Sequence, residues 1–161
     1  MTNIYTLLKF VHIAAVIIFL GNIITGLFWM RQADKTKNVS IISFAIRGIM
    51  TSDKWFTIPG VIVITAGGIL AAIYGNIPLL RTGWIFWSII LFTLSGVVFS
   101  VKVAPLQQKI YRLTLNNSAE FDWPQYRAKL MQWEIWSFIA LITPIAATVM
   151  MVLKLPVRSI F

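Results

Sequence analysis

Four long apolar stretches divide the chain, at about residues 4–30, 56–80, 83–101 and 135–153. Each approaches or exceeds the roughly 20 residues that carry an α-helix across a hydrocarbon core about 30 Å thick. The stretches are continuously apolar, without the alternation of a lipid-facing strand, and helices are then the way to satisfy the backbone in lipid. The pattern predicts an all-α membrane fold, a single four-helix transmembrane bundle over residues 1–161.

The connections are unequal. In RQADKTKNVSIISFAIRGIMTSDKW, the residues Val39, Ile42, Ile46 and Ile49 recur at helical spacing. They predict a short amphipathic helix lying on the cytoplasmic membrane surface. Spans two and three are joined by little more than Arg81 and Thr82, a hairpin. Pro105 is expected to kink or end the third helix, PLQQKIYRL to continue it in polar form, and NNSAEFD to break it. Asp122 followed by Trp123 and Pro124 reads as the cap and first turn of a fourth helix that begins outside the bilayer. Pro59 with Gly60 reads as a helix start, and Pro144 as a kink. Small residues mark expected helix contacts: Gly21 with Thr25, Gly67 with Ala71 and Gly75, and Ser88 with Ser95 and Gly96.

Composition supports the membrane assignment. The 161 residues are 58% hydrophobic and only 12% charged, with a mean hydropathy of +0.82. Soluble domains carry about 25% charged residues. The lipid bilayer is the required partner, and a second copy or another membrane protein is left open. A net charge of +9 would suit a nucleic-acid binder. The basic residues instead fall between the apolar runs, no nucleic-acid motif accompanies them, and nucleic acid is set aside. Ten flank the first and third connections: Arg31, Lys35, Lys37, Arg47, Lys54, Lys102, Lys109, Arg112, Arg127 and Lys129. Four lie on the other side, Lys9, Arg81, Lys154 and Arg158. The positive-inside rule then predicts cytoplasmic loops in a bacterial inner membrane, with both termini outside. Trp29, Trp55, Trp133 and Trp136 are expected in the inner aromatic belt, and Trp84 and Trp87 in the outer one.

The beginning, MTNIYTLL, lacks the basic region and cleavage pattern of a signal peptide, so the first span is expected to be retained. Cysteine is absent, which excludes disulfides, zinc-thiolate and iron–sulfur sites and covalent haem attachment through cysteine. Asn38-Val39-Ser40 and Asn116-Asn117-Ser118 match the glycosylation pattern, but both fall on the predicted cytoplasmic side and read as chance.

In order along the chain, LLKFVHIAAVIIFLGNIITGLFW, DKWFTIPGVIVITAGG, WIFWSIILFTLSGVV, VAPLQQ and WPQYRAKLMQWEIW…TPIAATVMMVLK resemble a bacterial family of predicted integral membrane proteins of unknown function. The resemblance covers nearly the whole chain and implies no established activity. A histidine early in the first span of a small helical bundle is also similar to membrane protoporphyrinogen oxidases and to copper-resistance membrane proteins. The first likeness implies His12 as a haem or porphyrin contact, although the basic residues deep in those oxidases have no match here. The second implies His12 with methionines around copper.

His12 is the only histidine. Phe10 to Met30 alone makes about 31 Å of helix, so Lys9 can snorkel and His12 lies about one turn below the outer interface. There it reads either as a satisfied packing residue or as a ligand or proton carrier. Met150 and Met151 on the fourth span fall at a similar depth, beneath Lys9, Arg81, Lys154 and Arg158. His12 with one methionine could ligate haem b, with the cations meeting its propionates, or could hold copper(I). A bis-histidine haem within one chain is excluded. Toward the inner end, Lys102 and Glu134 are expected to pair across helices, or Glu134 to meet the polar stripe of Asn22 and Thr25. No hydrolytic triad, phosphate loop or carboxylate metal cluster is present. Two classes of function remain: haem or porphyrin binding near the outer surface, and a non-enzymatic role, either in transport of a small solute or copper or in assembly of a membrane complex.

Overall fold

The structure is a computed structural model and describes residues 3–115 and 121–159. Its helices form four rods, each long and apolar enough to cross a membrane: Ile4–Lys35, Val39–Tyr74, Gly83–Thr114 and Trp123–Leu153. The first rod is helix α1, Ile4–Lys35, capped by Asn3, whose side chain accepts from the Tyr5 amide. The second joins α2, Val39–Ser52, to α3, Ile58–Tyr74, through a π turn at Asp53–Thr57. The third joins α4, Gly83–Val98, to α5, Ala104–Thr114, through a π turn at Phe99–Val103. The fourth is α6, Trp123–Leu153, capped as expected by Asp122, which accepts from the Gln125 amide. At 1.5 Å per residue the rods measure about 46–54 Å, longer than a hydrocarbon core about 30 Å thick.

Three prolines pass through these rods without ending them. Each π turn begins six positions before a proline, Pro59 or Pro105. Each contributes an i→i−5 bond, from the Ile58 amide to the Asp53 carbonyl and from the Ala104 amide to the Phe99 carbonyl. A proline lacks its own N–H and its ring crowds the carbonyl four residues back; the wider turn absorbs both effects. Pro59 and Gly60 therefore do not start a helix, and Pro105 does not end one. At Pro144 the compensation comes from a neighbour. Its missing amide frees the Ala140 carbonyl, which accepts from Ser95 Oγ at 2.6 Å.

The rods pack as two antiparallel pairs, α1 with α3 and α4 with α6. The first pair sets rings into glycines. Tyr5, His12 and Phe19, at heptad spacing on α1, lie against Gly75, Gly67 with Gly68, and Gly60. The second pair is tied by Ser95 and by Ser88, whose Oγ donates to the Ala147 carbonyl at 3.1 Å. The pairs are joined at the end that carries residues 36–38 and the α5–α6 connection, here called the loop end. There α2 packs on α5, and Met30, Ile42, Ile46, Ile110, Tyr126 and Trp133 form a dense core. Toward the opposite, terminal end, Phe19 and Phe92 meet edge to face with centroids 5.6 Å apart.

Several expectations change. Helix α2 is amphipathic as the spacing predicted, yet its apolar face of Ile42, Ile46 and Ile49 is buried against protein and not laid on lipid. It continues directly into the second span, because the π turn carries the helix past Pro59. The second span stops at Tyr74, six residues short of Leu80, because Gly75 and Pro78 open a turn through Thr82. Trp133 is core and not belt, whereas Trp29 and Trp55 are exposed. Gly21 and Gly96 face open space, so neither marks a helix contact, while Gly67, Gly75, Ser88 and Ser95 do. Asn38 is occupied as the cap of α2, accepting from the Ser40 and Ile41 amides. The break expected over NNSAEFD and the Asn116-Asn117-Ser118 motif fall largely or wholly on residues 116–120, outside the described residues.

Candidate functional site

Both π turns lie toward the loop end, and the first opens on a buried ionisable side chain. Asp53 opens the first π turn and is 7% exposed. Its Oδ1 accepts from Asn22 Nδ2 at 3.0 Å and from Thr57 Oγ at 2.7 Å; its Oδ2 accepts from Gln107 Nε2 at 2.8 Å. Asn22 Nδ2 also reaches Thr57 Oγ at 2.9 Å. Three rods thus converge on one carboxylate: α1 through Asn22, the second rod through Asp53 and Thr57, and α5 through Gln107. A carboxylate offers about four lone-pair positions, of which these donors fill three, two on Oδ1 and one on Oδ2. Every partner is neutral, and among the described residues Asp53 has no salt bridge.

The fourth rod supplies the opposite wall. A cavity of about 20 Å³ is bounded by Asn22, Asp53, Phe99, Gln107, Trp133 and Ser137. Trp133 and Ser137 sit one turn apart on α6, 2% and 3% exposed. Neither Trp133 Nε1 nor Ser137 Oγ bonds to any protein atom among the described residues. Buried polar groups are mostly paired, and these two are among four unpaired buried side-chain atoms of the described residues, with Asp34 Oδ1 and the Tyr126 hydroxyl. By helical rise the cluster lies about 30 Å from the terminal end, a distance close to the thickness of a hydrocarbon core.

The residues singled out from sequence are dispersed. His12 packs on α3, its Nδ1 2.8 Å from the Ile64 carbonyl. A carbonyl only accepts, so Nδ1 carries the hydrogen, and in the neutral ring Nε2 holds the lone pair. Lys9 is exposed on α1. Met150 and Met151 are half-buried on α6, which packs on α4, so they and His12 belong to different helix pairs. The tail after α6 folds over the start of α4, where Trp87 Nε1 donates to the Arg158 carbonyl at 3.1 Å. Among the described residues no group of three or more His, Asp or Glu side chains could hold a metal ion.

The expected Lys102–Glu134 pair is not formed. Glu134 pairs with Arg31 at 2.9 Å, and the Lys102 ammonium lies 5.3 Å from the Trp136 ring centroid. The reason is register: Arg31 lies beyond the apolar part of α1 and reaches α6 beside a second tie, from Arg127 to Asp34 at 2.9 Å. Thr25 does not reach Glu134 either, because its hydroxyl bonds back to the Gly21 and Asn22 carbonyls of its own helix. Asn22 is drawn instead into the Asp53 cluster.

These contacts lie in the region covered by a family model described as Predicted integral membrane protein (DUF2269), which matches residues 6–155. The chain belongs to that family. No curated protein and no solved structure matches it. Its function within the family is unknown, while its four apolar rods fit contact with a lipid bilayer.

Asp53, Gln107, Trp133 and Ser137 were missed in the sequence. Asp53 reads there as a loop charge before a span, and Trp133 as a belt residue. One signal was available. Pro59, Pro105 and Pro144 each follow a polar or aromatic residue by six positions inside otherwise helical patterns, and π turns form only before the first two, so the spacing marks candidates without deciding among them.

Proposed function

We propose that this family member is a non-enzymatic, proton-coupled transporter of a small solute, with Asp53 the group that takes up and releases the proton. The observation that carries the reading is a buried carboxylate bonded only to neutral donors, beside a small, mostly apolar cavity walled by all four rods. An anchor would not need a carboxylate: asparagine could accept the same bonds on Oδ1 while the Gln107 amide turned to meet its NH₂. A carboxylate adds titratable charge at a desolvation cost, which a proton-handling role explains. Its setting in a π turn agrees, since such turns concentrate at functional sites.

The test is proton uptake into vesicles loaded with a pH-sensitive dye, driven by a potassium diffusion potential. Wild-type protein should exceed protein-free vesicles, and Asp53→Asn should return to that baseline. Wild-type uptake at baseline, or undiminished uptake in Asp53→Asn, overturns the reading. The loop end is assigned to the cytoplasm of a bacterial inner membrane, with the termini outside, from the ten-to-four division of basic residues. A periplasm-dependent reporter after Phe161 should be active and one at Asn117 inactive; the reverse pattern refutes the orientation.

A second reading rests on the His12 tautomer. An imidazole whose Nδ1–H is held by a carbonyl presents Nε2 as a ligand atom, the usual arrangement of histidine metal ligands. Copper(I), or haem b or a porphyrin, would then bind from the outer leaflet side, near Lys9. Protein from native membranes should carry metal or tetrapyrrole that both His12→Gln and His12→Phe lose while folded yield is kept. Wild-type protein free of both would end this reading.

A further inference from the structure

We infer that the loop end carries a docking surface for anionic phospholipid headgroups on the flank of the second and third rods, with Lys54 and Lys102 at its rim and Arg47 and Lys109 behind them. This surface lies on the outside of the bundle and is independent of the proton-coupling reading.

Charge comes first. Residues 39–115 contain one acid, Asp53, which is buried and bonded to Asn22, Thr57 and Gln107. The cations of this stretch at the loop end, Arg47, Lys54, Lys102, Lys109 and Arg112, are all exposed, and among the described residues none forms a salt bridge. On the flank of α1 and α6 the cations stand among acids instead: Arg31 pairs with Glu134, and Lys37 and Arg127 pair with Asp34. One flank is thus neutralised from within, and the other takes its counter-charge from outside the chain.

Depth then selects the source. The uncharged helix from Trp55 to Tyr74 measures about 30 Å and that from Gly83 to Val101 about 29 Å, each close to the thickness of a hydrocarbon core. Lys54 and Lys102 border these stretches on the loop side, one on each rod, at the level of headgroup phosphates. Each stands beside an indole: Trp55 is 73% exposed, and the Lys102 ammonium lies 5.3 Å from the Trp136 ring centroid. Exposed indoles sit favourably among headgroups, so a lipid surface fits these positions better than a soluble acidic partner. Arg47 and Lys109 stand seven residues farther out, about 10 Å beyond the rim and within about one Debye length at 0.1 M salt. They reach the same surface through its field. A zwitterionic headgroup carries its own ammonium and offers this flank no net charge, so the preferred partner is a phospholipid of net negative charge.

The experiment is electron spin resonance of full-length protein in phosphatidylcholine vesicles containing a trace of spin-labelled phosphatidylglycerol or spin-labelled phosphatidylcholine. The motionally restricted fraction of each label gives its relative affinity for the protein surface. Wild type should prefer phosphatidylglycerol by at least about fivefold at low salt, the worth of one cation near an anionic surface, and the preference should fall as salt rises. Lys54→Gln with Lys102→Gln should lose most of it, and Lys54→Arg with Lys102→Arg should keep it. Lys35→Gln with Lys129→Gln, which removes the same charge from the flank of α1 and α6, should also keep it. If the first glutamine pair does not fold, Arg47→Gln with Lys109→Gln replaces it and should weaken the preference. No preference in wild type, as a soluble acidic partner would give, overturns the surface. So does an equal loss in both glutamine pairs, which would mark general surface charge. Displacement of the labelled lipid by inorganic phosphate beyond that by chloride at equal ionic strength overturns the lipid as the ligand.

Discussion

Replacing Asp53 by leucine and by asparagine separates what the carboxylate holds from what it carries. Leucine keeps the bulk and removes both oxygens. Gln107 Nε2 and Thr57 Oγ then lose their bonds to Asp53, while Asn22 Nδ2 keeps its bond to Thr57 Oγ. Two buried donors left unpaired cost about 1–3 kcal/mol each, or about 2–6 kcal/mol together. Burying an extra aliphatic side chain offsets about 1–2 kcal/mol, leaving a net loss of about 0–5 kcal/mol, centred near 2–3 kcal/mol. Asparagine keeps an acceptor for Asn22 and Thr57, and a rotated Gln107 amide accepts from its NH₂, so its loss should stay within about 1 kcal/mol. Unfolding titrations in mixed micelles, followed by tryptophan fluorescence, measure both variants against wild type. If leucine is tolerated as well as asparagine, the hydrogen-bond geometry assigned to the cluster is wrong.

Two further predictions concern the helix pairs. Ser95→Ala should cost about 1–3 kcal/mol, because Pro144 leaves the Ala140 carbonyl without its helical donor, whereas Ser88→Ala should cost less because Ala147 keeps the Met151 amide. The same unfolding titration ranks them, and equal losses would refute the proline compensation. Gly67→Ala should be nearly neutral, since its new Cβ would sit 3.5 Å from His12 Cβ, but Gly68→Ala would bring a Cβ within 3.0 Å of His12 Cε1. The second change should push the ring off the Ile64 carbonyl at a cost of about 1–3 kcal/mol, and equal melting of the two variants would count against the ring-on-glycine packing.

Much of the fold is legible because lipid enforces one rule, a long apolar helix per crossing. Asp122 with Pro124 and the amphipathic repeat of Val39 to Ile49 also follow from local chemistry, and the structure forms both helices. What sequence could not show is continuity and pairing. Pro59 and Pro105 break a helix by local rules, and only the π turns keep the rods intact. Asp53 looks like a loop charge until α1 and α5 bring Asn22 and Gln107 to it across 31 and 54 residues. Trp133 carries the signature of an interfacial tryptophan, and its burial depends on the packing of the rods into one core at the loop end. His12 draws notice as the only histidine, whereas the structure sets it in series with Tyr5 and Phe19 as a third ring on glycine.

The measurement that bears most directly on Asp53 as the proton-handling group is charge movement after a pH step, recorded from vesicles adsorbed on a solid-supported membrane. Glu134→Gln is the control, because Glu134 is paired with Arg31 on the bundle's flank. The account predicts a transient current with wild type and with Glu134→Gln, and none with folded Asp53→Asn. A current of wild-type size in Asp53→Asn, or its loss in Glu134→Gln alone, would contradict it.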